Sequence, residues 1–438
     1  MPSTALAAAA LEGRKRPFVR ARRKVMIVTN LVPGYDIGFQ QSGHARYLGA
    51  FIDHFRRRGF EIILVALRPS LDFVRLRASE LPYALHSPAL RVAGEHLVVR
   101  SLSGTLRALA WSAFARMPQR MQAFASAVRA RARLARGFVH HLGTFIAPAE
   151  AAFVRRVEVL ERPSVVMYDS IFNCCPSATE TERWVITQDV KYLRARSFEA
   201  HGFAVSPAGL SRDAERHALR DVGNVIAIHW DDADEFRRLV PDAQVIVVPV
   251  TIDLPTQPVQ PSVANGSRCV FVGSGSFHNV DGIEWFLEQV WPAIRATVPH
   301  ATLDVYGTVC QRLGHVPAGV TLHGVVADIA RAYDGAALAV VPLRIGSGLK
   351  VKLVEALVFG VPTVTTSVGA QGLRGVAPRP FELADAAEDF ADRCITVLQS
   401  ASLRAELSAS AVRCAGLFSP DHAFAELAAA TTSKEAGE

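Results

Sequence analysis

The residues best suited to do chemistry lie between Val340 and Val364 of the 438-residue chain. An apolar run, Val340-Val341-Pro342-Leu343, leads into Arg344, then Gly346-Ser347-Gly348, then Leu349-Lys350-Val351-Lys352 and Glu355. Such an order predicts a strand, a glycine loop and a helix. Glycines let the backbone approach a ligand closely, and the helix start turns free N–H groups toward it. A pyrophosphate there meets the positive end of the helix dipole, worth roughly 0.3–1 kcal/mol per charge at exposed sites. Lys350 and Lys352 add point charges, and the Glu355 carboxylate suits two neighbouring sugar hydroxyls. The competing reading is a glycine-rich turn before an amphipathic helix with solvated lysines.

The surrounding elements explain how such a loop would be held. Val25-Met26-Ile27-Val28 is a short apolar run of the kind a buried parallel strand needs. A glycine-rich loop follows, then helical periodicity from His44 to Arg58, Gly59, and the strand Ile62 to Val65. Further strands are expected at Val165–Tyr168, Trp184–Thr187, Val225–Ile228 and Val245–Val248. Pro255, Pro258 and Pro261 mark a linker. Beyond it βα alternation restarts: Cys269–Val272, a helix from Val280 to Thr297, Thr302–Tyr306, Val320–His323, a helix near Asp328–Tyr333, Leu338–Pro342, the helix Leu349–Phe359 and Val361–Thr365. The expected organisation is a basic arm over 1–22, a Rossmann-like domain over 23–250, a linker over 251–267 and a second Rossmann-like domain over 268–438, whose last helix can pack back on the first. Open parallel sheets bind ligands beyond the carboxyl ends of their strands, so the cleft between the domains is the expected site.

The segment Val340–Val364 resembles the donor-binding helix of retaining glycosyltransferases of family 4 and relatives, also called glycosyl transferases group 1. That resemblance implies an α/β GT-B fold of two facing Rossmann-like, doubly wound domains. In the family a Glu-x7-Glu motif marks this helix, and its second Glu binds the nucleotide ribose; Glu355 matches it, while Ser347 stands at the first position. Phe271 to Gly275 with His278-Asn279 is similar to the family's opening strand and loop, but Ser274, Ser276 and His278 occupy the region where many members carry Arg and Lys. The resemblance then implies that phosphate charge rests on Lys350 and Arg344. Gly324-Val325 is similar to the loop that meets the base. Ser42-Gly43 falls where relatives carry a glycine pair facing the phosphates, with an ordinary helix cap as the equal alternative. Thr187-Gln188-Asp189 resembles a segment where relatives have His before Asp; Gln188 replaces that His, and Asp189 either positions the acceptor or caps the next turn. The donor contacts implied are thus Ser42, Gly43, Gly273, Ser274, His278, Gly324, Val325, Arg344, Gly346, Ser347, Gly348, Leu349, Lys350 and Glu355, with Asp189 and Lys350 in catalytic roles.

What the resemblance implies chemically is sugar transfer from a nucleoside-diphosphate sugar, with retention, to a glycan, lipid-linked or small-molecule acceptor. The donor's own phosphate would help to remove the acceptor proton, and the protein would stabilise the leaving diphosphate. A non-catalytic nucleotide-sugar-binding subunit and an epimerase or hydrolase on the same fold are the alternatives. No cofactor or metal is expected. Asp231-Asp232-Ala233-Asp234 is metal-like in composition, but its place between a strand and a helix favours a helix-capping acidic turn. No intact GxGxxG with a distant acidic partner follows a strand, which argues against a dehydrogenase.

Composition limits partners and location. The net charge is +7, and half the residues are apolar. Six scattered cysteines have no metal or disulfide spacing, consistent with reduced thiols in the cytoplasm. No apolar run reaches the roughly 18 residues of a membrane span. From residue 96 to 149 no acidic residue occurs, while Arg100, Arg107, Arg116, Arg120, Arg129, Arg131, Arg133 and Arg136 alternate with apolar residues. This stretch reads as basic amphipathic helices at an anionic membrane surface, as a solvated helix face, or, least of all, as a nucleic-acid patch; no nucleic-acid-binding motif accompanies it. The expected location is cytoplasmic, with peripheral attachment to the inner face of the cell membrane.

Overall fold

The computed structural model describes residues 23–32, 43–69, 75–100, 104–106, 109–110, 113, 139–177, 179–252, 266–373 and 376–432. The apolar runs become two parallel sheets. In the first, the strand order is Gln244–Val247, Asn224–Ala227, Glu182–Ile186, Val165–Asp169, Lys24–Thr29, Glu61–Ala66 and Ala84–His86. In the second it is Val320–Gly324, Thr302–Tyr306, Arg268–Val272, Leu338–Val341, Thr363–Thr365 and Glu382–Leu383. Both faces of each sheet are covered, which is why Val25, Met26, Ile27 and Val28 are all fully buried rather than alternating.

Strand order reverses once in each sheet. In the first sheet the reversal lies between Lys24–Thr29 and Val165–Asp169, which pair in parallel with Val28 beside Tyr168. In the second it lies between Arg268–Val272 and Leu338–Val341. Loops leaving the carboxyl ends of such a pair diverge to opposite faces and open a crevice. The candidate site forms where these two points meet.

Element boundaries differ from expectation in ways the backbone explains. The helix expected over Val280–Thr297 starts earlier, at Phe277, and passes through a wide turn at Phe286–Val290 before Trp291–Thr297. Pro292 lacks the N–H that a regular helix would use there. The donor-side helix spans Val351–Val358, and the helix near Asp328 is reduced to Ala330–Tyr333. An antiparallel flap of Arg75–Arg77, His96–Val99 and Leu90–Ala93 was not legible, because each short strand buries only one or two side chains, such as Leu76 and Leu97. The expected linker falls mostly on residues 253–265 and the basic arm on 1–22, both outside the described residues.

One apolar core runs through both halves. Val25, Leu48 and Trp184 belong to the same buried cluster as Leu343, Leu353, Phe418 and Leu427. The final helices return to the first domain: Phe424 stacks on His54 at 4.3 Å and meets Phe51 edge-on at 5.0 Å, while the Ile252 N–H donates to the Phe418 carbonyl at 3.1 Å.

Candidate functional site

The loop after Val341 is built around its glycines. Gly346 and Gly348 adopt φ of 127° and 74°. Gly348 has a second reason: a Cβ there would stand 2.7 Å from the Gln188 carbonyl oxygen of the first domain. The two switch points therefore touch. Ser347 Oγ donates to Asp189 Oδ2 across the cleft at 2.9 Å. Gly43, which opens the first helix Gly43–Arg57, faces the helix Val351–Val358 so closely that an added Cβ would lie 3.0 Å from the Val351 side chain. Of the Ser42–Gly43 pair, Ser42 lies outside the described residues.

Asp189 is buried and fully engaged. Lys191 Nζ donates at 2.5 Å, Arg194 Nη1 at 2.6 Å, and Ser347 Oγ completes the set. Burial alone would raise its pKa; Lys191 and Arg194 outweigh that and hold it well below the usual carboxylate range. An ionised, saturated carboxylate braces its neighbours and takes no proton near neutrality.

Lys350 precedes the helix and folds into the loop, donating to the Gly348 carbonyl at 2.6 Å and to Gln371 Oε1 at 2.9 Å. Lys352 donates to Asn279 Oδ1 and lies 4.6 Å from the centre of the Phe271 ring. Burial pushes the Lys352 ammonium down to about 7. Glu355, 2% exposed, accepts from Arg46 Nη1 at 2.7 Å, and Tyr333 Oη approaches it at 3.4 Å. The carboxylate suited to sugar hydroxyls is thus held by an arginine of the opposite domain.

Other predicted donor residues cluster at the second switch point. Gly273 and Ser274 follow the strand Arg268–Val272. Ser274, Ser276 and His278 are linked by side-chain contacts of 3.0 and 3.2 Å and are tied together by Asn279. Gly324 closes its strand with φ 73°, and Val325 beyond it is exposed. Leu349 is buried between the domains. Arg344 grips Asp281 in a two-point contact at 2.6 and 3.1 Å while its side chain stays partly exposed. The acidic turn opens a helix as expected, with Asp231 and Asp232 in its first turn, but the cap itself is another residue. His229 caps the helix Trp230–Leu239 through Nδ1, which accepts from the Asp232 N–H at 3.1 Å, whereas Asp231 reaches across to the Gly372 N–H at 3.1 Å. Among the described residues, no group of three or more His, Cys, Asp or Glu could hold a metal ion, and no helix is long and apolar enough to cross a membrane.

The first switch point holds residues that sequence reasoning missed. Asp169 ends its strand 2% exposed and accepts from Thr29 Oγ1 at 2.7 Å and Gln188 Nε2 at 2.8 Å. His44 Nε2 lies 2.8 and 2.9 Å from its two oxygens. Two signals were present: a polar residue closing a buried strand, and a histidine opening the helix after the first strand. Arg46, on the same helix turn, had no signal, because its partner lies 309 positions away.

Two doubly wound domains joined at their switch points define the GT-B fold. Residues 266–400 match a family model described as Glycosyl transferases group 1. No curated protein matches the chain in sequence. Sucrose-phosphate synthase (tll1590) from Thermosynechococcus elongatus is 13% identical, with 95% of this chain and 100% of that one covered at a TM-score of 0.61. Anabaena Alr3699/HepE, solved in complex with UDP and glucose, is 14% identical over 94% and 100%, at 0.57. A mutant of S. aureus TarM, in complex with fondaparinux, alpha-GlcNAc-glycerol and UDP, is 12% identical over 65% and 59%, at 0.51; this chain thus spans less than two thirds of that relative. Identities this low establish the fold alone.

Proposed function

We propose that the chain is a glycosyltransferase moving a sugar from a nucleoside-diphosphate sugar to a glycan, lipid-linked or small-molecule acceptor, with retention and without a metal. The observation that carries this reading is the junction of the two switch points, where the Gly346–Gly348 loop, Lys350 and Glu355 meet Asp189 and Arg46 at one cleft. The family match over 266–400 and the UDP and glucose bound to the Anabaena relative support it. In this reading the diphosphate lies against the start of the helix Val351–Val358. Lys350 and Lys352 offset its charge, and the ribose hydroxyls take Glu355 in place of Arg46. Asp189 acts as a positioning residue through Ser347 and Lys191. The basic segment 100–136, of which Arg100 is described and exposed, would bring the acceptor from an anionic lipid surface.

The test is the melting temperature against UDP, GDP, ADP, dTDP and CMP, with Glu355→Ala alongside. A ligand at about 100 times its dissociation constant stabilises by roughly 2.7 kcal/mol, several degrees for a chain of this size. One diphosphate should shift the wild type and leave folded Glu355→Ala unmoved. The matching donor sugars then go into an assay with EDTA present, and the anomeric signal of the product is read by NMR. No shift with any nucleotide sinks the reading. A shift without turnover favours the non-catalytic binding subunit, and an inverted product removes retention.

A further inference from the structure

Resting on that reading, we infer that Arg46 is a donor-binding residue that exchanges partners: as the ribose hydroxyls take Glu355, its guanidinium passes to the diphosphate. The helices that carry the pair make this exchange short. Gly43 stands against Val351, and Arg46 reaches Glu355, so the contacts advance in the same direction along Gly43–Arg57 and Val351–Val358. The two contacts are one helical turn apart, about 5.4 Å. Side chains of a helix lean toward its N-terminus, so Arg46 has only to lean further back along its own helix to reach the start of Val351–Val358. That start is where the diphosphate lies.

Arg46 is also the cation of the cleft best able to move. Its side chain is 59% exposed, whereas that of Glu355 is 3% exposed. Lys191 and Arg194 are committed to Asp189, and Arg344 to Asp281. Lys350 is buried against the Gly348 carbonyl and Gln371. Burial holds Lys352 down to about 7, so near neutrality only part of its population is charged. A diphosphate brings more negative charge than these two lysines supply, and a guanidinium matches phosphate oxygens two at a time.

The exchange is coupled for an electrostatic reason. Glu355 is buried, and stripping Arg46 from it without replacement leaves an uncompensated charge in the interior. Ribose hydroxyls can donate and a carboxylate only accepts, so they restore what the guanidinium withdraws, while Tyr333 Oη stays beside it at 3.4 Å. Arg46 is therefore released to the diphosphate by a ligand that carries a ribose, and inorganic pyrophosphate does not draw it across. A nucleoside alone competes with Arg46 for Glu355 and offers it no phosphate in return. Removing the guanidinium thus acts in opposite directions on nucleoside and nucleoside diphosphate.

The experiment is calorimetric titration of the full chain with uridine, guanosine and adenosine, with UDP, GDP and ADP, and with inorganic pyrophosphate. For the base that binds, Arg46→Ala should hold the nucleoside roughly threefold tighter and the diphosphate roughly tenfold weaker, the loss expected for a charge-assisted contact. Pyrophosphate should bind wild type and variant equally. Arg46→Lys keeps a charge without the two-point grip, and its diphosphate affinity should lie between wild type and alanine. A purely structural ion pair would weaken both ligands together on its removal, and that result overturns the exchange. So does a nucleoside that gains nothing, a diphosphate that loses nothing, or a pyrophosphate weakened as much as the diphosphate. If the alanine variant does not fold, Arg46→Lys carries the test, and a diphosphate affinity equal to wild type overturns the exchange. A wild type that binds none of the three diphosphates rejects the reading of the site, and the exchange falls with it; one that binds a diphosphate keeps that reading whatever Arg46 does.

Discussion

At the residue scale, the cleft is organised by carboxylates whose partners differ. Glu355 is matched by an exposed, displaceable arginine, Asp169 by an imidazole with one open nitrogen, and Asp189 by three donors that close it. Glu355 and the His44 ring are the groups of these three clusters with capacity left for a ligand. Asp189 should therefore matter first to stability. Asp189→Asn leaves Lys191 and Arg194 without their countercharge and should cost about 3 kcal/mol in urea unfolding at pH 7. The sign with pH is fixed. A carboxyl held below its unfolded value of 3.8 stabilises fully above that pH and loses the contribution as pH falls below it. The gap between wild type and variant should accordingly begin to close as the pH falls below that value. A gap that does not narrow there, or none at pH 7, would show that the network is not ionic in the way described.

At the element scale, two helix starts and two strand ends are pressed together, and Gly348 is what allows it. Gly348→Ala meets both a left-handed φ and the Gln188 carbonyl. The backbone term alone is about 1–2 kcal/mol, and the clash must be relieved by moving the loop away from the first domain. The expected result is a lower melting temperature together with a weakened nucleotide shift, since the loop that moves is the one meant to hold the diphosphate. An alanine variant unchanged in both would remove the loop from the site.

At the scale of the molecule, a shared core and the returning C-terminal helices bind the domains into one body, with Phe418, Phe424 and Leu427 buried in the same cluster as Val25 and Trp184. The surplus charge of +7 is concentrated by the acid-free stretch 96–149. Each basic residue near an anionic leaflet contributes about 1 kcal/mol, screened by salt. The protein should co-sediment with phosphatidylglycerol vesicles at low salt and ignore phosphatidylcholine. It should be released near 1 M salt, where the Debye length has shrunk to about 3 Å. Equal binding to neutral vesicles, or none to anionic ones, would leave the segment a solvated surface.

The sequence by itself determined the two parallel sheets, the glycine loop with Lys350 and the helix carrying Glu355. Those features rest on local rules: apolar runs that must be buried on both faces, and glycines where the backbone turns left-handed. It could not show that Arg344 answers Asp281, that Asp189 is closed by three donors, or that His44 and Asp169 form a pair 125 positions apart. Charges find partners by distance in space, and that distance is set only when the switch points are brought together by the packing of the whole chain. The tertiary structure therefore decided which of the candidate groups are already satisfied and which still face the cleft.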